Sequence, residues 1–411
     1  MPRSVTIRRP EAPIRARIHL PRSKSVANRA LIAAQLAGDI GCVTEPGDAD
    51  DTRILNQLLR ERPGVLDCGL GGTTFRFLLT WAAVQEGAEH VVTGAPRLLE
   101  RPHADLIEAL RTLGADITPV AGGYRVRGTR LAGGELTFRS PISSQYLSAL
   151  MLVAPQLREG LRIHWQGTQR SRPYVEMTAE VMRRFGAAVA LGERTIDVGP
   201  MPYRAQPFTV PRDWSAAAFW YEVAGLTGDA DVLLADLAFD GLQGDAAVVE
   251  LAGHLVLTDA LPEGLRLRSR SVVERGPERI DLLRTPDLFQ PLACLYAGTE
   301  QAVGFIGLDT LAHKESDRLR DLAESLAALG VKVDRSDEGF WITPTRLGRA
   351  TAHAFATHGD HRLAMALAPL ALITGRIILR DPDVVTKSYP TFWTDLRAAG
   401  FGVEFWEGSG A

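Results

Sequence analysis

The chain has 411 residues, 45% of them apolar and 23% charged, the balance of an ordinary folded protein of two or three domains. Its 46 basic residues face 49 acidic ones, a formal charge of −3, so the overall field gives no reason to expect a nucleic-acid or anionic-membrane partner. No window approaches the ~18 unbroken apolar residues that a membrane helix needs, and Cys42, Cys68 and Cys294 are too scattered for a disulfide framework or a paired-thiolate metal site.

Residues 1–21 carry several arginines but no apolar core of a secretory signal, so the expectation is a soluble, metal-free, multi-domain protein of the cytoplasm. Only four of the 46 basic residues are lysines: Lys24, Lys314, Lys332 and Lys387. Arg stays protonated at any working pH, whereas a Lys ammonium can give up its proton when its surroundings lower its pKa. A lysine kept in so arginine-rich a chain is therefore a candidate for a task Arg cannot do. Lys332, in a strand-like run, reads as an ordinary surface residue.

Along the chain, helix starts carry the unusual chemistry. Ser23-Lys24-Ser25 precedes a predicted helix over 26–37, with Ser23 or Ser25 as N-cap and Arg29 one turn in from Ser25. Hydroxyls, open amides and two cations at a helix start describe an anion site. Gly69-Leu-Gly-Gly-Thr-Thr-Phe-Arg76 is a second Gly-rich turn into a helix. It lacks both the Gly-Lys-Ser/Thr ending of a nucleotide loop and the third glycine of a dinucleotide fingerprint, so close approach of an anion and a plain tight turn both remain open. Ser143-Ser144-Gln145 opens a predicted helix over 146–153, and Ser171-Arg172-Pro173-Tyr174 another over 175–185.

Further on, Asp287 in Arg284-Thr-Pro-Asp287 precedes an apolar helix. The run from His313 to Arg318 (His-Lys-Glu-Ser-Asp-Arg) is the densest charged cluster, expected in the first turn of a helix over 319–329. Glu315 and Arg318, three apart, would share a face; an acid, a lysine and an arginine together can bind an anion and also move a proton. Asp360-His361-Arg362 opens an apolar helix expected over 363–373. His358, Asp360 and His361 make a poor metal site, because no further ligands close a tetrahedral shell and Arg362 would repel a cation. Lys387 is expected in a loop.

Helical segments that end in glycine before a β-branched run recur at Gly114, Gly186, Gly330 and Gly400, with a degenerate match at Gly253, a period of about 70 residues. That is too long for a solenoid unit of ~20–45 residues and suits copies of a small α+β unit, with apolar helices inside and sheets outside. Pro-rich joins place the boundaries at 22–212 for one lobe and 1–21 plus 213–411 for the other.

These segments resemble the 5-enolpyruvylshikimate-3-phosphate (EPSP) synthase family of 3-phosphoshikimate 1-carboxyvinyltransferases, in family order from about residue 18 to 395. The resemblance rests on Ser23-Lys24-Ser25-x-x-Asn28-Arg29, Gly72-Thr73-x-x-Arg76, Glu100-Arg101-Pro102, Ser143-Ser144-Gln145, Ser171-x-Pro173-Tyr174, Gln243-Gly244-Asp245, Pro286-Asp287, Lys314-Glu315-x-Asp317-Arg318, Asp360-His361-Arg362 and Lys387. It implies a two-domain inside-out α/β barrel, each lobe three βαβαββ units, with the active site in the interdomain cleft. It further implies a monomer that needs no cofactor or metal and transfers the carboxyvinyl group of phosphoenolpyruvate to the 5-hydroxyl of shikimate 3-phosphate.

By the same resemblance Glu315 is the proton donor, Asp287 the base, and Lys24 a proton relay that also binds phosphoenolpyruvate. Gly72, Arg101, Gln145, Arg318, His361, Arg362 and Lys387 would surround phosphoenolpyruvate; Ser25, Arg29, Ser143, Ser144, Gln145, Ser171, Tyr174, Asp287 and Lys314 would hold shikimate 3-phosphate. Thr310 stands where Asn is usual, Ala312 where a basic residue is, Leu70 where Asn is, and Phe77 where Pro is common. The related transferase acting on UDP-N-acetylglucosamine has a cysteine just before the Arg-Pro pair, and 95–100 holds none here. A non-catalytic binder of phosphorylated metabolites would not need Lys24, Asp287 and Glu315.

Overall fold

One arrangement of strands and helices recurs through the computed structural model, which describes residues 3–139, 141, 143–271, 275–348 and 353–407. Strand Val65–Asp67 is followed by helix Gly72–Ala83, the parallel strand Glu89–Thr93 and helix Ala104–Thr112. The hairpin Asp116–Val120 and Gly123–Arg127 then completes a four-stranded mixed sheet. Parallel neighbours cannot be joined by a tight turn, so each needs a helical crossover; the antiparallel pair needs only the short turn.

The same βαβαββ order runs from Gly134–Arg139 to Thr195–Val198 and from Arg279–Asp281 to Gly339–Thr343. Two copies borrow a strand from the chain's beginning: Ile14–Ile18 pairs in parallel with Ala230–Ala235, and Arg3–Arg8 lies between Arg376–Arg380 and Gly402–Glu407. A sixth copy is reduced. Strand Phe208–Thr209 pairs in parallel with Val43–Thr44, helices Lys24–Leu36 and Asp50–Glu61 belong to it, and no hairpin follows. The chain divides into two units: Met1–Pro21 with Arg212–Ala411, holding three full copies, and Arg22–Pro211, holding two full copies and the reduced one.

The recurring glycines end the second helix of each copy. Gly114, Gly186, Gly330 and Gly400 have φ of 98°, 85°, 87° and 95°, left-handed values that cost a glycine nothing. Gly253 takes no positive φ, since its helix is the single turn Val248–Leu251. In the reduced copy the same position is Arg62, at φ 48°, so a search for glycine could not find it.

Within a copy the two helices differ. The first is apolar on all sides and buried: every residue of Phe289–Gly298 and all but Gln145 of Ser144–Val153. The second is amphipathic and covers the first with one face, as Asp50–Glu61 does with Leu55, Leu58 and Leu59. Because each helix follows the C-terminal end of a parallel strand, the helix N-termini of a copy point the same way. The sequence-marked cations and hydroxyls sit at those ends.

Three local expectations change. The apolar stretch 363–373 is not one helix but His361–Leu367, a 3-10 turn Ala368–Leu370 and Ala371–Thr374; Pro369 lacks the N–H that would continue the ladder. Of the cluster 313–318 only Arg318 lies in the helix Arg318–Ala328, with Asp317 as its cap, while Lys314, Glu315 and Ser316 precede it. Lys387 ends a 3-10 segment, Pro382–Lys387, rather than lying in an open loop. Among the described residues no helix is long and apolar enough to cross a membrane.

Glu222, midway along the buried helix Trp214–Leu226, is fully enclosed, and neither of its carboxyl oxygens has a hydrogen-bond partner among the described residues. Burial pushes its carboxyl well above the ordinary 4.5, because a charge there would be desolvated and unpaired. The folded chain therefore keeps the proton that the unfolded chain releases. Its contribution to stability is full below the ordinary carboxyl range and declines as pH rises, by up to ~1.4 kcal/mol per pH unit. Glu222→Gln, permanently neutral, should flatten that decline. Urea midpoints measured between about pH 5 and pH 8 should fall less for the variant than for the native chain; parallel curves would contradict the reading.

Candidate active site

In the unit Arg22–Pro211, helix Lys24–Leu36 starts at Ser23, whose side chain makes no cap hydrogen bond. Lys24 Nζ donates to Asp51 Oδ2 at 2.9 Å, and Asp51 is nearly buried at the start of the companion helix. Thr74 Oγ1 donates to the backbone oxygen of Asp51 at 3.0 Å, which joins this pair to the start of helix Gly72–Ala83. A Cβ on Gly72 would lie 2.5 Å from Arg101 Nη1 and 3.2 Å from Arg76 Nη1. Glycine there lets two guanidinium groups rest against a helix start.

The segment that carries Arg101 is pinned on both sides. His103 Nε2 pairs with the Leu98 carbonyl at 2.9 Å, and the Tyr146 hydroxyl donates to the Pro102 carbonyl. Burial first, and then the charge of Arg76, push His103 down to about 4, so its ring is neutral near pH 7.

Arg29 is fully buried, and its guanidinium donates to Thr178 Oγ1 at 2.7 Å, the Ser25 carbonyl at 2.8 Å, Gln145 Oε1 at 3.0 Å, Ser148 Oγ at 3.2 Å and the Tyr174 carbonyl at 3.4 Å. None of these partners is a carboxylate. Burial pushes Arg29 down to about 10, opposed only in part by Tyr174. Phe77, one of the departures from the family pattern, packs its ring 5.4 Å from the Arg29 guanidinium carbon. Ser143 caps helix Ser144–Val153 by accepting from Gln145 N, Ser144 is buried, and Ser171 is held at φ 54° before helix Arg172–Arg184. Ser25, Arg29, Ser143, Ser144, Gln145, Ser171 and Tyr174 thus share the helix-start end of one unit. The cation at its centre lacks a counter-ion among the described residues.

In the other unit the centre is Arg318, 2% exposed. Its Nε donates to Asp360 at 2.7 Å, Nη1 to Asp287 at 3.0 Å and Nη2 to Glu315 at 3.0 Å. Burial would lower its pKa, but the charges of Asp360, Glu315 and Asp287 overcome that and hold it above the ordinary arginine value. Lys387 Nζ reaches Glu315 Oε1 at 2.7 Å, and Lys314 Nζ lies 3.8 Å from Asp287. Arg362 Nη2 donates to Asp287 Oδ2 at 3.2 Å and to Ser215 Oγ at 3.0 Å.

Asp360 does double duty, since its other oxygen accepts from Arg362 N at 2.9 Å and caps helix His361–Leu367. His361 is buried beside it, Nδ1 4.0 Å from Asp360 Oδ1. Among the described residues no group of three or more His, Cys, Asp and Glu is placed to hold a metal ion.

Each unit gathers its own share of the residues expected from the sequence: Lys24, Gly72, Arg101 and the Arg29 group in one, Asp287, Lys314, Glu315, Arg318, His361, Arg362 and Lys387 in the other. Four partners had no assigned role. Asp51 reads in sequence only as a helix-start acid, Asp360 as a helix opener, and Ser215 as an ordinary residue after a cap. Asp245 lay inside the Gln243-Gly244-Asp245 motif, which marked the place without telling its use. At the departures, Leu70 is half exposed, and Thr310 Oγ1 is buried with no hydrogen-bond partner among the described residues.

The fold is that of the enolpyruvyl transferases. Over 98% of this chain it matches a solved EPSP synthase from Acinetobacter baumannii, all of that chain being covered, with a TM-score of 0.78 at 22% identity. Over 99% it matches the enolpyruvyl transferase NikO from Streptomyces tendae, again wholly covered, with a TM-score of 0.75 at 16% identity. The family pattern of EPSP synthase (3-phosphoshikimate 1-carboxyvinyltransferase) matches residues 61–396. A 3-phosphoshikimate 1-carboxyvinyltransferase of Bacteroides fragilis is 39% identical over 402 residues, 96% of this chain and 97% of that protein. The chain belongs to the EPSP synthase family.

Removing one partner of a buried ion pair costs about 3–5 kcal/mol when it leaves the other charge unpaired, but Arg318 keeps Asp287 and Glu315 when Asp360 is lost. Asp360→Ala, which takes away one charged hydrogen bond and a helix cap, should therefore destabilise the unit containing Arg318 by about 2 kcal/mol or more in urea denaturation. A loss below about 1 kcal/mol, the worth of a surface pair, would refute the structural weight given to this contact.

Proposed function

We propose that this chain transfers the carboxyvinyl group of phosphoenolpyruvate to the 5-hydroxyl of shikimate 3-phosphate, releasing phosphate. The observation that carries the reading is the Arg318 cluster, where two carboxylates capable of proton transfer, Asp287 and Glu315, lie among four cations suited to an anion: Arg318, Arg362, Lys314 and Lys387. A site for binding alone gains nothing from carboxylates beside its anion. The membership of the family supports the same reaction.

Arg318, Arg362, Lys387 and Arg101 hold the phosphate and carboxylate of phosphoenolpyruvate, with Gly72, Gln145 and His361 beside it. Glu315 protonates the C3 methylene. The 5-hydroxyl attacks C2 and passes its proton to Asp287; the resulting tetrahedral intermediate returns a proton from its C3 methyl to Glu315 as it expels phosphate, which restores the C2–C3 double bond.

Lys24, paired with Asp51, contacts phosphoenolpyruvate and relays protons. Shikimate 3-phosphate supplies the anion that Arg29 lacks, with Ser25, Ser143, Ser144, Gln145, Ser171, Tyr174, Asp287 and Lys314 around it. The residues named are drawn from both units.

Phosphate release from phosphoenolpyruvate should require shikimate 3-phosphate; equal turnover with UDP-N-acetylglucosamine would overturn the assignment. Glu315→Gln should lower kcat by about 10²-fold or more, with little change in shikimate 3-phosphate binding measured by calorimetry. An unimpaired variant would take Glu315 out of the mechanism.

A further inference from the structure

The Gln243-Gly244-Asp245 motif has no part in the reaction as derived above, yet Asp245 is the carboxylate packed behind the clamp. It lies in the 3-10 turn Gly244–Ala247, 6% exposed. Its Oδ2 accepts a hydrogen bond from Ser215 Oγ, and the same Ser215 oxygen accepts from Arg362 Nη2 at 3.0 Å. A serine has one hydroxyl hydrogen, so while Arg362 donates to it, that hydrogen goes to Asp245. Arg362 also donates to Asp287, from Nη2 to Oδ2 at 3.2 Å and from Nη1 to the backbone oxygen at 3.3 Å.

The groups facing Asp245 come from each neighbouring element. Asp213, the cap of helix Trp214–Leu226, accepts from Ser215 N at 2.8 Å. Asp287 lies in the turn Pro286–Leu288, with Arg318 on its far side. Arg362 opens helix His361–Leu367. Gln243 spends its amide on the Arg212 carbonyl, Asp240 and Trp214 N. Asp245 therefore meets two like charges, Asp287 and Asp213, and reaches one cation, Arg362, only through a hydroxyl. Burial first, and then the charge of Asp287, push it up to about 7, with Arg362 and Ser215 opposing in part. Two buried carboxylates beside one guanidinium repel each other, and Asp245, which unlike Asp287 has no cation bonded directly to it among the described residues, is the one that holds a proton.

We propose that Asp245 is a positioning residue that takes up a proton when an anion seats against Arg362, so that Arg362 stays available to the anion. This rests on the reading that Arg362 holds phosphoenolpyruvate. The step moves one proton from solvent to the Asp245 carboxylate and changes no other bond. Its sign follows from charge. An anion at Arg362 favours the protonated carboxyl; below about pH 7 the proton is already present, and above it binding must draw one in, at up to ~tenfold in affinity per pH unit.

The test compares the native chain with Asp245→Asn, which is neutral at every pH, by the KM for phosphoenolpyruvate at saturating shikimate 3-phosphate from about pH 6 to pH 9. The ligand's own phosphate ionisation is common to both and cancels in the ratio. The ratio of native to variant KM should climb above about pH 7, by as much as ~tenfold per unit. A ratio constant with pH, as a merely structural role would give, overturns the proposal. Ser215→Ala serves even where Asp245→Asn does not fold: losing the hydrogen bond that favours the charged form should move the native break to higher pH, and an unmoved break counts against it. A native chain that turns over no shikimate 3-phosphate overturns the reaction instead. Calorimetry of inorganic phosphate binding near pH 8, in buffers of different ionisation enthalpy, then decides separately. Proton uptake by the native chain that is absent in Asp245→Asn upholds the role, and equal uptake removes it.

Discussion

A guanidinium taken out of water must find its counter-charge inside the protein, and that requirement organises the Arg318 cluster. Arg318 meets it three times, through Asp360, Asp287 and Glu315. One of these is fixed as a helix cap, while the other two are shared with Arg362, Lys314 and Lys387. Groups able to carry protons are thereby held in place by the charge that also attracts an anion. Arg29 presents the opposite case, with every partner neutral and its pKa brought down to about 10 by burial. A cation in that position is poised for a ligand that brings the missing charge.

Such clusters form because the βαβαββ copy aims its helix N-termini one way. A helix start offers open amides and the positive end of the dipole, and this chain places its serines, lysines and arginines there. The first helix of each copy is mostly buried, and several are almost wholly apolar. Its start therefore has little freedom, and Ser143, Asp213 and Asp360 each accept from the backbone amide two residues on. The rigidity of the cluster comes from buried helices with capped ends.

Much of this was legible beforehand. The glycines at 114, 186, 330 and 400 mark true left-handed helix ends because no other residue takes that conformation so cheaply. They measured the repeat, and the motifs at Lys24, Gly72, Ser143, Glu315 and Arg362 named most of the residues that the helix starts of each unit bring together. Where the signal was not glycine the count failed: Arg62 takes the same conformation and hid the reduced copy. Proline broke an apolar run that periodicity had read as one helix, and the charges at 314–316 fell outside the helix that their spacing had placed them in.

The order of motifs and the kinds of residue, local properties written in spacing and side-chain chemistry, determined the family, the repeat and the list of candidate groups from the sequence alone. Which charge faces which was decided only by tertiary structure: that Asp51 holds Lys24, that Asp360 holds Arg318, that Phe77 lies against Arg29, and that Asp245 stands behind Arg362. Each of these pairs joins residues from separate helices. Their electrostatics depend on burial and on distances of a few ångströms, and spacing along a chain encodes neither.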